Sequence, residues 1–162
     1  MSNISFIGMA GCGKSTIGGV LSSQLSASFV DTDLLIEEKF KLSLEQLKKD
    51  RGYKFLRQAE EEVILKLDNN IKVISTGGSA VYSEKSMLHL SSFSKIIYIN
   101  TPLDEIKKRI GHGQHRGLAS PEGLSIDDIH KERVPLYNKW ANITLDGEKS
   151  VEDIISKIIS LI

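Results

Sequence analysis

Short apolar runs alternate along the chain with segments of helical period. Ile4–Ile7, Val73–Ser75 and Lys95–Ile99 are short, rich in β-branched residues and bounded by turn formers, which predicts buried strands. Ser28–Val30, just ahead of Asp31, and Ile143–Leu145 are weaker strand candidates. Between them, helices are predicted over Lys14–Gln24, Leu34–Phe40, Phe55–Leu67, Leu103–Ile110 and Ile126–Asn142. The Phe55–Leu67 segment sets Phe55, Leu56, Ala59, Val63, Ile64 and Leu67 near helical spacing. Ser150–Ile162 closes the chain as an amphipathic helix, with Val151, Ile154, Ile155, Ile158, Ile159 and Ile162 on one stripe. Strands that alternate with helices pair in parallel through right-handed crossovers. The expected fold is therefore α/β, a three-layer αβα sandwich, with ligands beyond the carboxyl ends of the strands.

Composition narrows this picture. The 162 residues carry no repeat, low-complexity tract or linker, so one domain is expected over 1–162. Hydrophobic residues are 40% and charged residues 26%, a globular mix. The formal net charge is zero, so no whole-protein field draws nucleic acid or an anionic membrane. No apolar run is long enough to span a bilayer. The apolar start, Ile4 to Gly8, lacks the basic flank and cleavage site of a signal peptide. Cys12 is the one cysteine, so no internal disulfide forms, and the cytoplasm is the expected compartment.

One loop carries specific chemistry. Gly8-Met9-Ala10-Gly11-Cys12-Gly13-Lys14-Ser15 fits G-x-x-x-x-G-K-[ST] in full, after a predicted strand and at the start of a predicted helix. Glycines let the backbone curl so that N–H groups face phosphate, and the helix N-terminus adds positive potential. Lys14 is placed to reach the β- and γ-phosphates, and the Ser15 hydroxyl to ligate magnesium. Gly8, Gly11, Cys12, Gly13, Lys14, Ser15 and Thr16 are thus candidate ATP-binding residues, with Cys12 a small filler.

Four further strings complete a resemblance. They are Phe29-Val30-Asp31-Thr32-Asp33, Arg57-Gln58-Ala59-Glu60, Val73-Ile74-Ser75-Thr76-Gly77-Gly78 and Glu132-Arg133-Val134-Pro135-Leu136-Tyr137. With the loop they make the chain resemble shikimate kinases over nearly its whole length. Alone, the two aspartates would read as helix caps and Arg57/Glu60 as a solvated ion pair. Likewise Gly77 and Gly78 would be an ordinary turn, and Arg133 a solvent-facing side chain.

The resemblance implies a nucleoside-monophosphate-kinase-like P-loop fold with a five-stranded parallel sheet. It implies ATP and Mg2+, and transfer of the γ-phosphoryl group to the 3-hydroxyl of shikimate. It makes Asp33 the base on the acceptor hydroxyl, and Asp31 and Ser75 supports of the magnesium shell through water. Arg57 and Arg133 would bind the acceptor carboxylate, with Glu60 bracing Arg57, and Gly77, Gly78 and Ser79 would line the acceptor. Arg109 would pack on adenine and Arg116 reach the transferring phosphate, from a lid over about 111–124. The acceptor segment would span about 33–61. His112 and His115 in the lid lack the partners of a tetrahedral metal site. A cytoplasmic monomer acting on a small anionic substrate, without nucleic acid or membrane, is expected.

Several positions depart from the family pattern. Ser79 stands for the third glycine, Leu56 for a phenylalanine and Gly52-Tyr53 for Gly-Glu. Arg116-Gly117-Leu118-Ala119 replaces Arg-Pro-Leu-Leu, and Lys139 replaces a glutamate. These departures fall near the substrate and the lid, and two other readings stand beside the first. One is a paralogue that phosphorylates another small hydroxy acid or polyol. The other is a nucleotide-binding regulatory module without efficient transfer.

Overall fold

Every residue of strand β1 (Asn3–Ile7) is buried, which happens when both faces of a sheet are covered. The computed structural model describes residues 2–111 and 118–162. Its sheet is parallel throughout, in the order β2-β3-β1-β4-β5. The other strands are β2 (Phe29–Asp31), β3 (Val73–Ser75), β4 (Ser94–Asn100) and β5 (Ile143–Asp146). Side chains alternate between two cores, as the two-residue period of a strand requires. Ile4, Phe6, Val73, Ile97 and Ile99 face one core, while Ile7, Ile74, Ile96 and Tyr98 face the other.

The first core is covered by α1 (Lys14–Gln24) and α8 (Val151–Leu161). Opposite lie α5 (Glu84–Phe93), α6 (Leu103–Ile110) and α7 (Ile126–Trp140). A third, smaller core joins α2 (Thr32–Phe40), α3 (Leu44–Arg51) and α4 (Tyr53–Leu65) through Ile36, Leu47, Leu56, Ala59 and Val63. This is the expected three-layer sandwich with its five strands.

Sequence patterning found all five strands, within a residue or two at their ends. It missed α3 and α5. Only Leu47 of α3 is buried, so that helix has almost no apolar period to detect. The C-terminal stripe is also narrower than expected: Ile154, Ile155 and Ile158 are buried, but Ile159 is exposed.

Side chains start five of the helices. Asp31, Ser43, Ser83, Ser125 and Ser150 each accept a hydrogen bond from the first-turn backbone of α2, α3, α5, α7 and α8. Helix α1 begins at Gly13 with no side-chain cap, and its first amides stay available to an anion.

Candidate active site

The loop from Gly8 to Ser15 joins central strand β1 to α1, at the carboxyl edge of the sheet. Gly13 sits at φ 106°, in the left-handed region, where a side chain would be strained. The Lys14 side chain is buried and folds back over its own loop. Its Nζ donates to the carbonyls of Gly8 (2.7 Å) and Met9 (2.9 Å). Cys12 is buried in the α1–α8 core, with Sγ 3.6 Å from Lys14 Nζ, which is the packing of a filler. Its carbonyl accepts from Thr101 Oγ1 at 3.0 Å.

Three oxygens meet beside this loop. Ser15 Oγ donates to Asp31 Oδ2 and lies 3.3 Å from Ser75 Oγ. Asp31 also caps α2, its Oδ1 accepting from the amides of Asp33 (2.9 Å) and Leu34 (3.3 Å). One oxygen of the Asp31 carboxylate therefore caps the helix while the other takes the Ser15 hydroxyl. Among the described residues, no group of three or more His, Cys, Asp or Glu side chains could hold a metal. Magnesium asks for less than that. It keeps several waters and takes one or two protein groups plus phosphate oxygens, so the Ser15, Asp31 and Ser75 oxygens fit it.

Asp33 stands on the first turn of α2, half-buried beside a second carboxylate. Burial, then the charges of Glu60 and Asp31, push its pKa up from 3.8 to about 7, against the pull of Lys14. A carboxyl tuned near neutrality suits a general base. Glu60 is fully buried on α4. Its Oε1 accepts from the Gly77 amide (2.7 Å) and Thr32 Oγ1 (3.3 Å), and its Oε2 from Ser79 Oγ (2.8 Å). Burial raises its pKa, opposed by these donors and by the charge of Arg133.

The glycines are spaced for these side chains. A Cβ on Gly77 would lie 2.6 Å from both Asp33 Oδ1 and Glu60 Oε1, and one on Gly78 would lie 2.7 Å from Arg133 Nη1. Ser79, the departure from the third family glycine, spends its hydroxyl on Glu60.

That bond corrects one expectation. Glu60 does not brace Arg57, because Ser79, Thr32 and Gly77 hold it instead. Arg57 Nε donates to the Ala119 carbonyl at 2.8 Å, and its guanidinium lies 3.8 Å from the ring centre of Tyr82 and 4.9 Å from that of Tyr53. Desolvation lowers the Arg57 pKa, with Tyr82 opposing and Arg133 adding to the shift.

Arg133 is 1% exposed, so it does not face solvent. Its Nη2 donates to Ser120 Oγ (3.0 Å) and to the same Ala119 carbonyl (3.4 Å). Arg133 and Tyr137, four residues apart on α7, point inward together, while Pro135 between them is exposed. Tyr137 stacks on Tyr98 and donates its hydroxyl proton to the Gly78 carbonyl at 2.7 Å. Among the described residues neither arginine pairs with a carboxylate. Desolvating an ion costs several kcal/mol, so an internal guanidinium without a carboxylate points to an anion that arrives from outside.

Arg109 of α6 occupies the far end of the loop. Its guanidinium donates to the carbonyls of Gly11 (3.4 Å), Cys12 (3.1 Å) and Gly147 (3.0 Å), and its Nε pairs with Glu105. A cleft of about 440 Å³ runs from here along Gly11–Thr16 to Asp33 and Thr76. On the other side of Asp33, Glu60, Ser79, Leu56, Leu118 and Ala119 enclose a cavity of about 30 Å³. Asp33 lines both. Arg116, expected at the transferring phosphate, and the lid histidines His112 and His115 lie outside the described residues. Trp140 packs partly buried against the α5–α7 core, with Lys139 Nζ 5.0 Å from its ring centre. Sequence patterning singled out neither Tyr82 nor Thr32.

The shikimate kinase family model matches residues 10–162. A shikimate kinase of Staphylococcus aureus strain JH9 is 31% identical over 99% of this chain and 94% of its own length. One from Actinobacillus pleuropneumoniae serotype 5b strain L20 is 35% identical over 99% of this chain and 95% of its own. Among solved structures, a shikimate kinase from Acinetobacter baumannii in complex with shikimate superposes with a TM-score of 0.89. It is 28% identical over 99% of this chain and 92% of that one.

Proposed function

The chain belongs to the shikimate kinase family, and on that premise we propose how its residues transfer the γ-phosphoryl group of ATP to the 3-hydroxyl of shikimate. The observation that carries the assignment of roles is the place of Asp33. It lines both the cleft along the P-loop and a small cavity whose Ala119 carbonyl is held by Arg57 and Arg133, neither of which pairs with a carboxylate among the described residues.

Loop amides and the uncapped start of α1 hold the phosphates. Lys14 exchanges its loop carbonyls for phosphate oxygens, and Arg116 is assigned to the transferring group. Arg109, anchored on three carbonyls, packs on adenine. Ser15, with Asp31 and Ser75 through water, would hold Mg2+, which would offset phosphate charge. Arg57 and Arg133 bind the shikimate carboxylate, and Gly77, Gly78 and Ser79 line the acceptor. Asp33 accepts the proton of the 3-hydroxyl as that oxygen attacks the γ-phosphorus in line, and the bond from that phosphorus to the bridging oxygen breaks, with ADP leaving. The work is mostly positioning and electrostatics.

Family membership also supports a cytoplasmic monomer, checked by light scattering on the purified protein. Among the described residues no helix is long and apolar enough to cross a membrane.

ADP release with MgATP, with and without shikimate, tests the activity. Strong stimulation by shikimate is expected. No stimulation while ATP still binds overturns shikimate as acceptor and favours another small hydroxy acid.

A further inference from the structure

Among the described residues, Tyr82 is the one aromatic side chain that both acceptor-side arginines touch. It ends a single 3-10 turn, Ala80–Tyr82, directly after Gly77–Ser79. Buried Ala80 and Val81 fix that turn in the core, and backbone bonds Ala80 N–H to Gly77 O and Tyr82 N–H to Ser79 O close it. The ring therefore projects from the acceptor loop itself.

Its contacts divide between ring and hydroxyl. The Arg57 guanidinium lies 3.8 Å from the ring centre and that of Arg133 5.4 Å. The hydroxyl donates to Glu132 Oε1 at 2.6 Å and accepts from Arg133 Nε at 3.4 Å. Two cations near one ring repel each other, and the ring's π system attracts both. A stacked ring covers the face of a guanidinium, whereas its N–H donors lie along the edge. The stack thus orients Arg57 without spending the fork a carboxylate needs. An acidic partner would spend it, and the nearest candidate on the helix, Glu60, is turned away to Ser79.

We propose that Tyr82 is a positioning residue for the acceptor carboxylate, its ring setting Arg57 and its hydroxyl tying Arg133 to Glu132. This rests on the reading that the two arginines bind that carboxylate.

Steady-state kinetics on the full chain test it with Tyr82→Leu, Tyr82→Phe and Arg57→Ala. Tyr82→Leu is expected to raise KM for shikimate about tenfold, with kcat and KM for ATP within about twofold. Tyr82→Phe keeps the ring and is expected to hold KM within about threefold of the parent. Should Tyr82→Leu not fold, Tyr82→Met fills the space without a ring and is read in its place. If Arg57→Ala raises KM for shikimate and the ringless variant does not, the inference about Tyr82 falls and the arginine site stands. If Arg57→Ala leaves KM unchanged, the carboxylate site falls and the inference with it. A ringless variant that lowers kcat and weakens ATP along with shikimate marks Tyr82 as structural only and overturns the proposal.

Discussion

Asp33 and Glu60 bring their carboxylates together beside Gly77, one oxygen of each 2.6 Å from where a Cβ on that glycine would stand. Two acids share this wall, and their environments differ. Glu60 is wholly enclosed with three donors, whereas Asp33 is half-buried and carries a pKa pushed up to about 7 by burial and by Glu60.

A raised carboxyl makes stability depend on pH in an unusual direction. The folded Asp33 holds its proton more tightly than the unfolded chain does. Its stabilising contribution is therefore complete below its ordinary value of 3.8 and is lost as pH rises through about 7. Glu60, also raised, acts in the same sense. Nucleotide-free protein should lose melting temperature between mildly acid and mildly alkaline buffer, and Asp33→Asn should flatten that slope. Thermal melts across pH check this, and an unaltered slope in the variant removes Asp33 as its source.

Gly77→Ala tests the close approach. Glu60 is pinned by its donors and cannot retreat cheaply, so the methyl group should cost about 1–3 kcal/mol, as overpacking does. Shikimate phosphorylation should fall more than stability alone explains, because Asp33 is displaced. Denaturant melts with turnover assays read both, and a fully active, equally stable variant would mean that the carboxylates yield.

The capping role of Asp31 and the metal role proposed for it can be separated. Asparagine caps a helix about as well as aspartate, while alanine loses about 0.5–2 kcal/mol. Asp31→Asn should therefore melt like the parent yet need more magnesium for half-maximal activity, and Asp31→Ala should suffer in both respects. A magnesium titration of the asparagine variant that matches the parent takes Asp31 out of the metal's surroundings.

Lys14→Met should reduce kcat by about 10²–10³, the scale of one lost electrostatic donor at a reacting centre. Folding should survive, since the lysine's partners are carbonyls of its own loop. Single-turnover measurements with saturating ATP distinguish a lost chemical step from weak binding.

How legible each part was follows from the range of the interactions that made it. The P-loop was plain because its physics is contiguous: strand, glycines, Lys14 and Ser15 are all local. The strands were plain because residues such as Ile96 to Ile99 are buried on both faces. Helix α3 hid behind its charge, although Ser43 followed three residues later by Gln46 is a capping signal, and the Gln46 amide does bond Ser43 Oγ. The spacing of Arg57 and Glu60 put them on one helix side but could not say which partner each prefers. That choice was made by Ser79, nineteen residues away along the chain. Tyr82 left no trace in the pattern, because a ring laid on a guanidinium has no characteristic spacing.

The Ala119 carbonyl, shared by Arg57 Nε and Arg133 Nη2, gives the empty protein a resident competitor. An anion that docks through Arg57 Nε or Arg133 Nη2 exchanges with that carbonyl, and its measured affinity is net of the bonds it displaces, whereas one that docks on the other N–H groups leaves the carbonyl in place. Displacing it removes both bonds of the carbonyl while Ser120 stays bonded to Arg133 and Leu118 and Ala119 stay packed in their cores, so acceptor binding and the hold on this stretch are coupled in free-energy terms.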